Sequence, residues 1–275
     1  MSALVGPEQL RAELGREDLL LLDVRWTLAG SDRAGYLAGH LPGAVFCDLD
    51  ADLAAPPGAG GRHPLPSPER LAATLGRLGV AEGTAVVVYD GGVAAAAARA
   101  WWCLRWLGHE DVRVLDGGLP AWVGAGGELE TGEVPPTPAP SSSSVPVRPG
   151  LPTVDADQVA AGTVGVLLDA RAPERFRGES EPVDPVAGHI PGARSLPTAR
   201  LTDDAGRYLP APALRELLAS VGADGGEPVA AYCGSGVTAA QLVLAAHEAG
   251  VAAALYPGSW SHWITDPSRP VARGE

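Results

Sequence analysis

Unbroken apolar runs, rather than alternating ones, mark the strands of this chain. Leu19-Leu20-Leu21-Leu22 leads into Asp23-Val24-Arg25, and Val166-Leu167-Leu168 leads into Asp169-Ala170-Arg171. Short, uniformly apolar runs bounded by polar residues are the pattern of parallel strands covered on both faces. Ala85-Val86-Val87-Val88-Tyr89 and Pro228-Val229-Ala230-Ala231-Tyr232 read the same way. A helix-like stretch precedes each of these two strands (69–78; 211–220), and an apolar helix follows (94–107; 238–249). Each half then adds a short strand (112–115; 252–255) and a Gly-Trp segment (117–122; 258–263). Strands alternating with helices predict an α/β fold, with a parallel sheet flanked by helices in each half.

The two halves repeat one another. Gly39-His40-Leu41-Pro42-Gly43-Ala44 and Gly188-His189-Ile190-Pro191-Gly192-Ala193 match almost letter for letter, and the Pro and Gly after each His force a tight turn. Between the halves the composition shifts to Gly, Pro and Ser, including Pro135-Pro136-Thr137-Pro138 and Ser141 to Ser144, which reads as a linker. The expected organisation is a first domain over 1–124, a linker over 125–152 and a second domain over 153–275, related by duplication. The copies diverge most tellingly after the strands that end in Tyr89 and Tyr232. There the first reads Asp90-Gly91-Gly92-Val93-Ala94, and the second reads Cys233-Gly234-Ser235-Gly236-Val237-Thr238-Ala239.

A length of 275 residues suits two domains, and 46% hydrophobic residues with 36 Gly and 26 Pro supply two cores with much punctuation. The net charge of -13 argues against a nucleic-acid footprint and against adhesion to anionic membranes, so an anionic substrate needs a local positive site. The start shows no basic region followed by an apolar one, and no window approaches a membrane span. The three cysteines, Cys47, Cys103 and Cys233, are widely spaced, which argues against a disulfide framework and paired metal ligands and fits a reducing cytoplasm. Cys47, in an Ala-Val-Phe-Cys run, and Cys103, between Trp102 and Leu104, are expected in the core. Trp101, Trp102 and Trp106 share near-helical spacing and are expected to pack in the core or at a domain interface.

Cys233 stands apart from the other two. Parallel sheets bind ligands beyond the carboxyl ends of their strands, and Cys233 directly follows one. Gly234 and Gly236 let the loop curl so that backbone N–H groups from about Gly234 through Val237 and Thr238 to Ala239 face one centre, to which the following helix adds its dipole. Such a cradle favours the thiolate, the form that attacks, and equally a persulfide. Taken alone, a Cys-Gly-x-Gly turn is as readily a buried thiol. Its pairing with Asp90 in an otherwise matching frame reads instead as one active and one retired site.

The strand ends at Asp23-Val24-Arg25-Trp26 and Asp169-Ala170-Arg171, both Gly-His turns, the Cys233 loop, Tyr256-Pro257-Gly258-Ser259-Trp260 and Asp90 together resemble the tandem-domain rhodanese superfamily over nearly the whole chain. The resemblance implies two tandem rhodanese-like domains, the first inactive. It implies a sulfane sulfur taken from a small-molecule donor, held as a Cys233 persulfide and passed to a thiol or cyanide acceptor, with no metal or organic cofactor. One chain carries both domains and so is expected to work as a monomer. Members similar to thiosulfate sulfurtransferases place Arg and Lys directly after the cysteine; Gly234 and Ser235 stand here, as in 3-mercaptopyruvate sulfurtransferases. That branch implies a Ser-His-Asp relay, matched by Ser235, His40 and Asp32, in which serine and histidine manage the substrate thiol proton and the aspartate orients the imidazole. His189 is expected to be structural. Arg175 matches the substrate-binding arginine, whose guanidinium can clamp a carboxylate, while Arg177 reads as surface charge. Where the branch carries a second arginine this chain reads Glu181-Pro182-Val183-Asp184, so either another cation substitutes or thiosulfate also serves. Trp260 and Trp263 either wall the site or pack behind it.

Two other readings compete. A cysteine loop after a strand also suggests tyrosine and dual-specificity phosphatases, but those end the loop in Arg, and no Arg follows Cys233 before Arg269. A persulfide carrier that loads sulfur without turning over small acceptors is the non-enzymatic alternative, disfavoured by the candidate relay and anion site.

Overall fold

The computed structural model of the chain describes residues 2–92, 94–139, 145 and 147–275; Val93 and the Ser141–Ser144 part of the expected linker lie outside the described residues. The chain divides into two compact units. One comprises Met1–Ala54, Pro66–Leu151 and Asp204–Arg207, the other Ala55–Leu65, Pro152–Asp203 and Tyr208–Glu275. Among the described residues no helix is long and apolar enough to cross a membrane.

The first unit is built on a five-stranded sheet in the order Leu4–Val5, Val112–Leu115, Ala85–Tyr89, Leu19–Asp23, Val45–Phe46, parallel throughout. Its central strand Ala85–Tyr89 is buried at every position, as its unbroken apolar run requires. The apolar helix Ala95–Trp106 buries ten consecutive residues, including Trp101, Trp102 and Cys103, so these tryptophans are core residues. Cys47 is also buried, and burial pushes its thiol well up from the ordinary value. Residues of the expected linker fold back onto this unit: His40 and Glu130 exchange backbone hydrogen bonds, Val134 N–H reaches the Tyr36 hydroxyl at 3.0 Å, and Ala139 N–H reaches Gly76 O at 2.9 Å.

The second unit repeats the plan with four parallel strands, Ala253–Leu255, Val229–Tyr232, Val166–Asp169 and Arg194–Ser195. In both sheets the two central strands end in register, Asp23 opposite Tyr89 and Asp169 opposite Tyr232. The repeated motifs then lock together in the same way twice. Arg25 and Arg171 each grip the aspartate two residues earlier at 2.7 Å and donate to the carbonyl of Gly39 or Gly188 at the head of the Gly-His turn. The tyrosine hydroxyls accept the N–H of Leu41 (3.0 Å) and Ile190 (3.1 Å) inside the turns. His40 and His189 finish the lock: each Nδ1 meets a backbone carbonyl (Tyr36 O, 2.9 Å; Phe176 O, 2.8 Å), and each ring stacks on the side chain of that same residue.

Candidate active site

Cys233 lies at the end of strand Val229–Tyr232, before helix Thr238–Glu248, and is 1% exposed. Gly236 holds φ at +80°, where a β-carbon would collide with the Pro257 carbonyl, and its N–H points at the Cys233 sulfur at 3.1 Å. Val237 caps the helix and Thr238 is its first residue. A neighbouring turn braces the loop from behind: Trp260 N–H reaches Cys233 O and Ser261 N–H reaches Gly234 O, both at 2.9 Å. Ser259 has a left-handed φ of 53°, unusual for a residue with a β-carbon, and its hydroxyl accepts the Cys233 N–H at 3.1 Å while donating to Tyr256 O. Trp260 and Trp263 are buried, with their indole N–H groups on Val186 O and Pro270 O, so their role is packing.

The structure brings to Ser235 a histidine other than the expected one. His40 is fully buried in the first unit by the turn-locking contacts it shares in kind with His189, and its Nε2 has no partner among the described residues. Asp32 caps helix Arg33–Ala38 through the Gly35 N–H at 2.9 Å. Both residues are thus committed to local structure, and the histidine that meets Ser235 is His63, its Nδ1 2.8 Å from the serine Oγ. His63 lies on the segment Ala55–Leu65, which belongs to the second unit. Paired backbone hydrogen bonds between Gly58 and Gly61 close that segment into a loop, and Arg62 N–H binds the Ser261 hydroxyl at 3.1 Å. Gly61 makes the approach possible, because a β-carbon there would come within 2.8 Å of both Gly258 O and Ser261 Oγ. A signal for His63 exists in the repeat itself: Gly61-Arg62-His63 stands where the second half reads Gly206-Arg207-Tyr208, so an imidazole occurs at that position in one copy only.

Arg175 does sit beside the loop, in helix Pro173–Arg177, but acidic partners share it. Its Nε and Nη2 take the two oxygens of Glu181 at 3.0 and 2.6 Å, and Nη2 also lies 3.1 Å from Asp184. Burial raises the Glu181 carboxyl, but the Arg175 guanidinium and the N–H groups of Asp184 and Val183 outweigh it and hold the group below its usual range. Asp184 is held above its usual range by burial, against the pull of Arg62. Arg62 forms an ion pair with Asp184 and reaches the nucleophile loop: a β-carbon on Gly234 would lie 2.7 Å from Arg62 Nη2 and 3.6 to 3.7 Å from the Arg175 guanidinium nitrogens. Arg177 pairs with Glu179 at the surface.

The matching loop of the first unit is closed on itself. The Asp90 carboxylate accepts the N–H groups of Gly92, Ala94, Ala96 and Ala97 at 2.9 to 3.2 Å, and Leu119 N–H reaches Asp90 O as Trp260 N–H reaches Cys233 O.

With this geometry in view, comparison with known proteins is specific. The family model of the Rhodanese-like domain matches residues 6–125 and 154–266. The chain is similar to a putative thiosulfate sulfurtransferase, SseB, of Mycobacterium tuberculosis, at 51% identity covering 92% of this chain and 90% of the relative. It is also similar to a probable 3-mercaptopyruvate sulfurtransferase of Pseudomonas aeruginosa, at 46% identity over 99% of this chain and 98% of the relative. Among solved structures, SseA from Escherichia coli, described as a 3-mercaptopyruvate sulfotransferase with the rhodanese fold, superposes with a TM-score of 0.81 at 32% identity, covering 95% of this chain and all of that one.

Proposed function

Because this chain belongs to the rhodanese family, with two rhodanese-like domains, we propose that it is a sulfurtransferase that takes sulfur from 3-mercaptopyruvate and passes it, through a persulfide on Cys233, to a thiol or cyanide acceptor. The first domain, over 1–124, is the inactive copy, and the second, over 153–275 with the borrowed segment around His63, is catalytic. The observation that carries the donor choice is the His63–Ser235 hydrogen bond two residues after the nucleophile, in a loop whose own side chains are uncharged. Thiosulfate leaves as sulfite and requires no proton. Mercaptopyruvate leaves as an enolate that must gain one, and a Ser-His pair beside the thiolate is suited to move it.

The Cys233 thiolate attacks the donor sulfur, the donor's carbon–sulfur bond breaks, and its electron pair goes to the carbon as the enolate of pyruvate. Ser235 and His63 relay the thiol proton to that carbon, which leaves pyruvate and a Cys233 persulfide anion. The Gly236 N–H, already aimed at the sulfur, and the helix from Thr238 stabilise the negative charge. A cyanide or thiolate acceptor then attacks the outer sulfur, and Cys233 leaves as the thiolate. No outside oxidant is needed: in the first step the thiol sulfur rises to the sulfane level as the donor carbon takes the electron pair and is reduced, and in the second the sulfane sulfur passes on at the same level. The 46 and 51% relatives carry mercaptopyruvate and thiosulfate in their respective names, so both donors belong in the test. Steady-state rates with each, with Cys233→Ser as control, should show higher kcat/KM for mercaptopyruvate and none for the variant. Higher kcat/KM for thiosulfate would overturn the donor choice, and no turnover with either would overturn the enzyme. We further propose that the chain acts as a monomer in a reducing, cytoplasmic setting, in keeping with three free cysteines, all buried.

A further inference from the structure

We propose that Arg62 is the residue that binds the donor's carboxylate, with Arg175 as its neighbour and Asp184 as the group that positions it; this rests on the mercaptopyruvate reading above. A catalytic loop of Cys, Gly, Ser and Gly has no cation of its own, and an anionic donor entering a chain of net charge -13 needs one close to the sulfur. The residues following helix Pro173–Arg177 supply acids instead, Glu181 and Asp184, both nearly buried at their side chains. These acids occupy much of Arg175: two of its nitrogens face Glu181 and one of those also faces Asp184.

Arg62 is disposed otherwise. It commits Nη1 to Asp184 and brings Nη2 to the side of Gly234 on which a β-carbon would stand, one residue from the nucleophile. Its side chain is 30% exposed, against 18% for Arg175, so it is the more open of the two guanidiniums that converge there. Asp184 contacts both arginines with its two oxygens and is 4% exposed, which makes it a fixed spacer between the two cations. Gly234 leaves room for this arrangement, because a β-carbon at that position would lie 2.7 Å from Arg62 Nη2 and the guanidinium would have to shift. The placement also suits the chemistry. In mercaptopyruvate the carboxylate is separated from the sulfur by two carbons, so a cation beside the residue following Cys233 can hold it while the sulfur meets the thiolate.

The test compares 3-mercaptopyruvate with mercaptoacetone, which has the same ketone and thiol but a methyl group in place of the carboxylate. Arg62→Met should reduce kcat/KM for mercaptopyruvate by about 10- to 100-fold, the loss of one charge-assisted hydrogen bond, mainly through KM, and lower it for mercaptoacetone by a much smaller factor. Arg62→Lys should recover part of the loss. Asp184→Asn should raise KM for mercaptopyruvate alone, since Arg62 loses its anchor while the nucleophile keeps its surroundings. Thermal melting of each variant separates a folding defect, which lowers both donors together, from loss of recognition. Equal losses for the two donors, or none for mercaptopyruvate, would remove Arg62 from the site while leaving the sulfurtransferase reading intact. Turnover of thiosulfate alone by the unaltered protein would overturn the mercaptopyruvate reading and this inference with it.

Discussion

His40 and His63 show how differently the same side chain can be engaged by its surroundings. His40 stacks on Tyr36 with ring centroids 4.2 Å apart and gives Nδ1 to a backbone carbonyl, the same contacts that His189 makes with Phe176. A ring so placed holds a turn. His63 is half-buried and meets a hydroxyl beside the nucleophile. His63→Ala should therefore lower kcat with mercaptopyruvate by about a hundredfold or more, the usual contribution of positioned proton transfer, with little change in melting temperature. His40→Ala should do the reverse, costing about 2 kcal/mol of stability through the emptied space beneath Tyr36 while the folded protein keeps its kcat. Kinetics and thermal melts on the two variants check this, and a large kcat loss in His40→Ala at unchanged stability would restore it to the relay.

At the scale of elements, helices are tied to sheets by charges as well as by apolar contact. In the first unit Arg113, on strand Val112–Leu115, grips both oxygens of Glu13 on helix Pro7–Glu13 at 2.8 and 2.6 Å, with both side chains more than four-fifths buried. The Arg113 hydrogen bonds hold the Glu13 carboxyl below its ordinary value, overcoming the upward push of burial. A lowered folded-state value means that the carboxylate form stabilises the fold above the unfolded-state value and that this contribution is lost as pH falls through the folded-state one. Glu13→Gln should accordingly cost about 1 kcal/mol at neutral pH, and the gap between variant and parent should close as the pH drops below about 4. Urea titrations across that range read it directly; a gap independent of pH would show that packing, not the ion pair, joins helix to strand.

Over the whole molecule, the duplication places an anion cradle in each half and fills one of them permanently. Asp90 satisfies four backbone N–H groups that in an open cradle would await a ligand. Asp90→Ala would bury those donors without partners, at about 1 to 3 kcal/mol for the group left unsatisfied. Calorimetry should show the first domain melting earlier, and an unchanged thermogram would mean that the carboxylate contributes nothing to the loop. The two halves share more than this loop: the Asp-x-Arg strand ends, the Tyr that closes the neighbouring strand and the Gly-His turn form one interlocking unit in each. Their repetition made the fold and the parallel sheets legible from periodicity and order alone.

What the sequence determined by itself was local: apolar runs long enough for buried strands, glycines where the nucleophile loop must turn, and Cys against Asp at matching positions. Those features depend on neighbours along the chain, so they can be read along it. The tertiary structure decided which distant side chains complete the site. Ser235 meets a histidine 172 positions away, and Asp184 meets an arginine 122 positions away. Local pattern does not carry such pairings, because closing a long loop costs little more than closing a shorter one and the choice falls to packing. The family resemblance pointed to His40, whereas packing brings His63 and Arg62 to the Cys233 loop on a segment that Gly61 allows to pass close to the Gly258–Ser261 turn.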